Sequence, residues 1–204
     1  MSKYFKKNRS LFTNLVNCMK YNLNFYLIFF FMALYIGTLT GDFIRGAVTI
    51  VLILVFSYFS HRASHHIFPY NLFHKVHHDD DNNKKWWARI LEWFVNFLQI
   101  GGIMLIPLNM YLEKWSGMKL LNNYVILYYS LVYTTHHMIN YHYMKIDTHV
   151  RHHDDETTNF GPDYMDVLMG TKQDNSTFED MRWSIMNSLA ATIIVMTVYT
   201  RKLL

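Results

Sequence analysis

Cysteine is nearly missing from this chain of 204 residues, where Cys18 stands alone. A single thiol excludes an intrachain disulfide and a thiolate metal site, so a bound metal would have to be held by nitrogen and oxygen. No Gly-x-Gly-x-x-Gly run occurs among the 8 glycines, which removes the dinucleotide fingerprint of nicotinamide and flavin enzymes. There is no haem-binding cytochrome segment either. Charge is sparse, at 17% of residues, and basic residues do not interleave with aromatics beyond the N-terminus. A nucleic-acid partner is therefore not expected. No linker or internal repeat divides the sequence, so residues 1–204 read as a single domain.

What the chain has in quantity is apolar sequence, 51% of it hydrophobic, gathered into long blocks. A bilayer core of ~30 Å takes about 20 apolar residues as helix, and four blocks approach this: 22–40, 43–60, 92–112 and 122–140. Only Gly41 and Asp42 separate the first two, and a short loop separates the second two, which predicts two transmembrane helical hairpins. Arg45 is expected to snorkel from its helix end. Pro107 and the Gly101–Gly102 pair are expected to kink the third block, and Asn96 and Gln99 to face protein. A fifth apolar stretch, 184–200, either spans or lies against the cap. The closing "RKLL", with Lys202, is similar to a basic retrieval signal of the endoplasmic reticulum; that function needs a cytoplasmic C-terminus and argues against a fifth span.

With four spans, the segments between and after the hairpins share a side with the basic N-terminal residues 1–21. Lys3, Lys6, Lys7, Arg9 and Lys20 there, joined by Lys84, Lys85 and Arg89, mark that side as cytoplasmic, against Lys114 and Lys119 opposite. The basic segment suits an anionic leaflet, and the first block is too deep and too long for a cleaved signal, reading as a retained anchor. The expected fold is thus all-α and integral to the membrane, with a cytoplasmic cap from 61–91 and 136–183.

All 12 histidines fall in two windows, 61–78 and 136–153, both in the cap. On a helix, positions i, i+3 and i+4 share a face, so His61 with His65, and the outer members of the two His-x-x-His-His runs, point toward one centre. His61 and His66 lie ~140° apart at 3.6 residues per turn, which favours His65. The candidate ligands are His61, His65, His74, His77, His78, His136, His137, His149, His152 and His153, with His66 and His142 undecided. Imidazole suits zinc, copper, iron and nickel, and one tetrahedral ion would use only three or four of the set. Two ions are expected. Haem is disfavoured, since axial histidines of membrane cytochromes lie inside facing helices. The acidic runs Asp79–Asp81 and Asp154–Glu156 are expected to be solvated, while Asp147 and Asp166, isolated near the histidines, are candidates to orient ligand N–H groups. Tyr70, Tyr141 and Tyr143 could line the site.

The order "HRASH", "HKVHH", then "HVRHHDDETTNFGPDYMDVLMGT" resembles the fatty acid hydroxylase and sterol desaturase superfamily from about residue 45 to 172. The match includes Asn159, Phe160, Gly161, Asp166, Gly170 and Thr171, and it adds Asn159 to the residues expected to support the ligands. The third histidine region, "HHMINYH", departs from the superfamily pattern and leaves His136, His137 and His142 unresolved; "LMGT" replaces the usual "LFGT". The resemblance implies a non-haem pair of iron ions, with zinc as a substitute, that uses dioxygen to hydroxylate or desaturate a fatty acyl chain or sterol, hydroxylation being favoured. With no redox cofactor motif in the chain, electrons are expected from an external b-type cytochrome and its reductase, docking as an acidic carrier on the basic cap. The expected location is the endoplasmic reticulum in a eukaryote, with the active site facing the cytoplasm. The competing reading is a histidine-rich membrane metal transporter or metal-binding protein; transport needs ligands within the spans, where only His136 and His137 stand, near one end.

Overall fold

The computed structural model describes residues 10–100, 102–144 and 146–204, without the side chains of Tyr70, His77, Asp80, Asn83, Gln99, Asn140 and Tyr141. The basic cluster Lys3, Lys6, Lys7 and Arg9 lies outside the described residues, as does Gly101. All regular structure among the described residues is helical. α1 (Leu11–Tyr21) leads into α2 (Leu23–Leu39) with a 78° bend, and α2 turns back tightly into α3 (Phe43–Ser64). The turn uses Gly41 at φ +110°, and Asp42 caps α3 by accepting from Arg45 N–H at 3.0 Å. Just beyond, the two backbones meet at glycine: a Cβ on Gly46 would stand 2.7 Å from Gly37 Cα. Small residues at such a crossing let membrane helices approach backbone to backbone.

α8 (Asn123–Met138) touches α2, α3, α7 (Leu105–Ser116) and α11 (Ser184–Thr200). α11 runs antiparallel to it: Ser184 sits at His136, and Tyr124 Oη donates to the Leu204 carbonyl at 2.6 Å. The fifth apolar stretch is therefore a member of the bundle and does not lie on the cap. It carries "RKLL" to the end where Asn122 bonds Thr40 and Thr49 at 2.8 and 2.9 Å, opposite the histidines. A C-terminus on the histidine side, as a cytoplasmic retrieval signal would need, is not what this path provides.

Among the described residues, α3 alone of the expected spans has the length, 22 residues or about 33 Å at 1.5 Å per residue; α1 and α2 qualify as a second if taken together across their bend. Outward faces are apolar, with Val48, Val51 and Leu52 of α3 and Leu27 and Phe31 of α2 exposed, while Thr49, Ser57, Ser130, Thr134 and Ser188 are buried. Apolar surface of this extent fits a lipid surround. The third block, expected as one kinked span, is instead two helices, α6 (Trp86–Gln99) and α7. The break is set by Gly102, whose N–H returns to the Phe97 carbonyl at 3.1 Å and where a Cβ would fall 2.5 Å from the Phe97 ring. Pro107 falls in the first turn of α7, where its missing N–H breaks no helical bond. α6 turns Trp86, Ile90, Trp93 and Phe94 outward and buries Glu92 and Asn96. Arg45, expected to snorkel, turns to Glu113 of α7 at 3.8 Å.

The cap is built at the C-terminal ends of α3 and α8 from α4 (Tyr70–His78), the turn α5 (Asp80–Asn83), a π-helical turn Ile139–Tyr143, α9 (Asp147–Asp154) and α10 (Asp163–Met169). Part of the polar run 79–85 forms α5, because Asp79 caps it by accepting from the Asp81 and Asn82 N–H groups.

Candidate metal centre

Three elements deliver the first group of histidines: His61 from the last turn of α3 and His65 from its C-cap, His74 and His78 from α4, and His152 from α9. His61, His65, His74 and His152 are all buried, and each offers a ring nitrogen within 4.8 Å of the others. Along the row, His152 Nε2 lies 3.2 Å from His65 Nε2, which lies 3.0 Å from His74 Nε2, which lies 3.1 Å from His78 Nε2. These contacts cannot all be hydrogen bonds. A neutral imidazole Nε2 carries either one proton or one lone pair, so four such atoms make at most two N–H···N bonds, yet three contacts join them. A cation among the lone pairs resolves the conflict. The spacing also fits, because nitrogens held 2.0–2.1 Å from one ion stand about 3–3.4 Å apart.

The outer ring nitrogens support this arrangement. His61 Nδ1 donates to the Phe160 carbonyl and His152 Nδ1 to the Thr158 carbonyl, each at 2.6 Å. A carbonyl only accepts, so the proton of each neutral ring sits on Nδ1 and the lone pair on Nε2, the state a metal needs. His61 Nε2 is buried without a protein hydrogen-bond partner. Glu156, expected to be solvated, is half exposed but places its carboxylate 3.5 Å from His65 Nδ1 and 3.9 Å from His78 Nδ1, an electrostatic partner at distances too long for strong hydrogen bonds.

The segment after α9 explains how the Phe160 carbonyl is held. Asn159 at φ +53° and Gly161 at φ +67° both adopt left-handed backbone, which asparagine and glycine tolerate best. The turn aims two successive N–H groups at Asp166: Phe160 N–H reaches Oδ1 at 2.9 Å and Gly161 N–H reaches Oδ2 at 2.7 Å. Thr171 Oγ1 also donates to Oδ1, at 2.7 Å, so the Tyr58 hydroxyl, 2.8 Å from it, is the donor of that next bond. Tyr58 lies one turn before His61 on α3, so the network closes on the helix it serves. Asn159 joins through Oδ1, which accepts from Gln173 N–H at 3.1 Å. Burial pushes the Asp166 carboxyl up to about 6, against the Thr171 and Gly161 hydrogen bonds that pull it down. At neutral pH it is an anion accepting three bonds.

A second group assembles beside the first. His149 Nε2 and His153 Nε2 are 2.7 Å apart, the His137 and His149 rings are 5.3 Å apart, and His153 stacks on His78 at 4.1 Å. Buried Glu92 of α6 joins them, with Oε1 3.1 Å from His137 Nε2 and Oε2 2.5 Å from His142 Nε2. In an α-helix His137 and His142 would be ~140° apart. The π-helical turn at Ile139–Tyr143 lies between them, and its wider winding brings His142 to the same carboxylate as His137. Such turns recur at functional sites.

Not every candidate converges. His136 is drawn away from the cluster to another face of α8, with Nδ1 bonded to Ser184 Oγ and Nε2 3.0 Å from Glu179 Oε1. Asp147 is exposed and pairs with Arg151 at 3.7 Å, so its position does not support a ligand. His66 and Tyr143 are exposed. The side chains of His77, Tyr70 and Tyr141 lie outside the described residues. Sequence reasoning missed Glu92, which opens an apolar block and reads as its boundary; the signal available was Asn96 four residues on, already marking the buried face.

No curated protein and no solved structure matches the chain. A family model described as "Fatty acid hydroxylase" matches residues 46–171, a span that takes in both histidine groups, Glu92 and the Asp166 network. With more than half of its length matched in this way, the chain belongs to the fatty acid hydroxylase family.

Proposed function

We propose that the protein is a membrane-bound, non-haem di-iron oxygenase that hydroxylates a lipid substrate, drawing on dioxygen and on electrons from an external b-type cytochrome and its reductase. The observation that carries the reading is the row of histidine Nε2 atoms whose contacts cannot all be hydrogen bonds. In this reading His61, His65, His74, His78 and His152 hold one ion, and His137, His142, His149 and His153 with Glu92 hold the other. The chemistry such a pair supplies when bound is activation of dioxygen against an unactivated C–H bond. Imidazole suits iron and zinc alike, and zinc would occupy the same nitrogens without redox chemistry. The protein's own work is to fix the ligand tautomers through the Phe160 and Thr158 carbonyls, to supply one buried carboxylate against the metals' charge, and to wall the cluster from water with Phe160, whose ring centroid is 5.5–5.9 Å from those of His61, His65 and His152.

The placement of the site at one end of an outwardly apolar bundle lets a lipid reach it without crossing bulk water. We assign that end to the cytoplasmic side of the membrane on the strength of Lys20, Lys84, Lys85 and Arg89. The bundle interior beyond the cap carries hydroxyls such as Ser57, Ser130 and Ser188 and, among the described residues, no chain of ligands, which favours an enzyme over a transporter. Lipid profiling of cells expressing the wild type or His152→Ala tests the proposal: a lipid oxidation product specific to the wild type is expected, and identical profiles would refute it.

A further inference from the structure

A cavity of about 50 Å³ lies outside the metal centre, between α2, α3, α8, the Phe160–Tyr164 segment and Glu179. Its body is apolar, with Phe25, Phe29, Leu54 and Val132 among its walls, and Phe160 makes it adjoin the histidine cluster. Its polar groups are Tyr26, Tyr129, Tyr133, Tyr164 and the His136–Glu179 pair. The hydroxyls of Tyr26 and Tyr164 are buried without a protein hydrogen-bond partner; Tyr26 has at most the Cys18 thiol beside it. The neighbouring phenols differ. Tyr128 Oη donates to the Phe29 carbonyl at 3.1 Å and Tyr129 Oη bonds Ser57 Oγ at 2.6 Å. The fold therefore satisfies buried tyrosines where a partner is in reach, Tyr129 of the cavity wall included, and leaves Tyr164, and Tyr26 but for that thiol, unsatisfied at the same cavity, although buried polar groups are as a rule hydrogen-bonded.

The electrostatics narrow the ligand. Among the described residues that line the cavity there is no Lys or Arg; nearby Lys172 is committed to Asp163 at 2.5 Å. The His136–Glu179 pair carries no net positive charge whichever way its proton sits. A carboxylate or phosphate head would be desolvated there without a counter-charge and beside Glu179, a costly arrangement. An uncharged head that donates to Glu179 and accepts from the two phenols keeps hydrogen bonds on entry without burying a charge.

We propose that this cavity binds the polar end of an uncharged lipid bearing a hydroxyl or amide, which deepens the oxygenase reading by naming its substrate class and rests on that reading only in calling the occupant a substrate. Glu179, held by His136, is then a ligand-binding residue of the cavity, and Phe160 is the wall past which the rest of the lipid meets the metal centre.

The test is equilibrium binding of tritiated 1-octadecanol and tritiated stearate, at pH 8, to the purified protein in micelles. Saturable binding of the alcohol is expected, with stearate at least tenfold weaker. The Tyr26→Phe/Tyr164→Phe variant should lose about tenfold or more in affinity for the alcohol, at about one hydrogen bond per hydroxyl, while keeping its iron content. Glu179→Gln should narrow the gap between alcohol and stearate. Should the double variant not fold, Tyr164→Phe alone carries the same expectation. Equal binding of stearate, absence of saturable alcohol binding, or wild-type affinity in the tyrosine variants would overturn the proposal. Binding needs neither iron nor oxygen, so selective alcohol binding in a protein that oxidises no lipid would count against the oxygenase reading alone.

Discussion

Replacing Asp166 by asparagine separates what the Asp166 network does for the fold from what it does for the metal. The carboxylate accepts from Phe160 N–H, Gly161 N–H and Thr171 Oγ1, and asparagine can accept at only one of its two positions, setting an NH2 group against a donor at the other. One charge-assisted bond is lost, about 1.5–3 kcal/mol. Against this, the buried anion is itself unfavourable: its rise from 3.8 to about 6 corresponds to a penalty on the order of 3 kcal/mol at neutral pH, which the amide escapes. The two roughly cancel, so thermal unfolding in detergent should shift little. The Phe160 carbonyl, however, loses its anchor, and with it the hydrogen bond that fixes His61. Metal affinity, measured by chelator competition on the apo-protein, should fall 10- to 100-fold, as when the support of a metal-bound histidine is removed. Asp147→Asn, at an exposed residue paired only to Arg151 among its recorded contacts, is the control and should change nothing. The pH dependence has a defined sign: because the folded carboxyl holds its proton more tightly than the unfolded one, its stabilising contribution is fully present below about pH 4 and is lost as the pH rises through 6. Wild-type melting should decline relative to Asp166→Asn across that window. Unaltered metal affinity in Asp166→Asn would refute the assignment of Asp166 as the support of His61.

Three further outcomes are expected. His136→Ala should keep its metal, whereas His152→Ala should lose it, by elemental analysis of the purified variants; the reverse order would contradict the placement of His136 on Ser184 and Glu179. Glu92→Ala, which strips the carboxylate shared by His137 and His142, should lower iron toward one per chain, a result that spares the His61 group. Gly46→Leu forces side-chain atoms into the Gly37 backbone, where a Cβ alone would stand at 2.7 Å, and should destabilise the α2–α3 hairpin by about 1–3 kcal/mol or more in thermal unfolding.

Much of the helical architecture was legible from the length of the apolar blocks, and the α2–α3 hairpin from the two-residue gap at Gly41 and Asp42. The division of the third block was only half legible: the glycine pair marked the weak point, but whether a helix bends or ends there depends on Gly102 making room for the Phe97 ring, a tertiary contact. The pairing of His61 with His65 followed from helical spacing. The third histidine region did not yield to the same rule, because His136 and His137 are neighbours ~100° apart at 3.6 residues per turn, and the choice between them rests on how α8 is rotated against α11. His142 was obscured by the π-helical turn, which breaks the period that the spacing argument assumes. Glu92 and Glu156 were hidden for a simpler reason. Acidic residues at the edges of apolar blocks are ordinarily solvated, and only the arrival of histidines from distant segments makes them partners.

The central claim is that two iron ions sit among these histidines. Iron per chain, determined together with X-ray absorption at the iron edge on the purified protein, tests it most directly. The account predicts two irons per chain in a nitrogen-dominated shell, and loss of at least one in a His61→Ala/His152→Ala variant. A full complement of iron in that variant, or a wild type that oxidises lipid without iron, would contradict it.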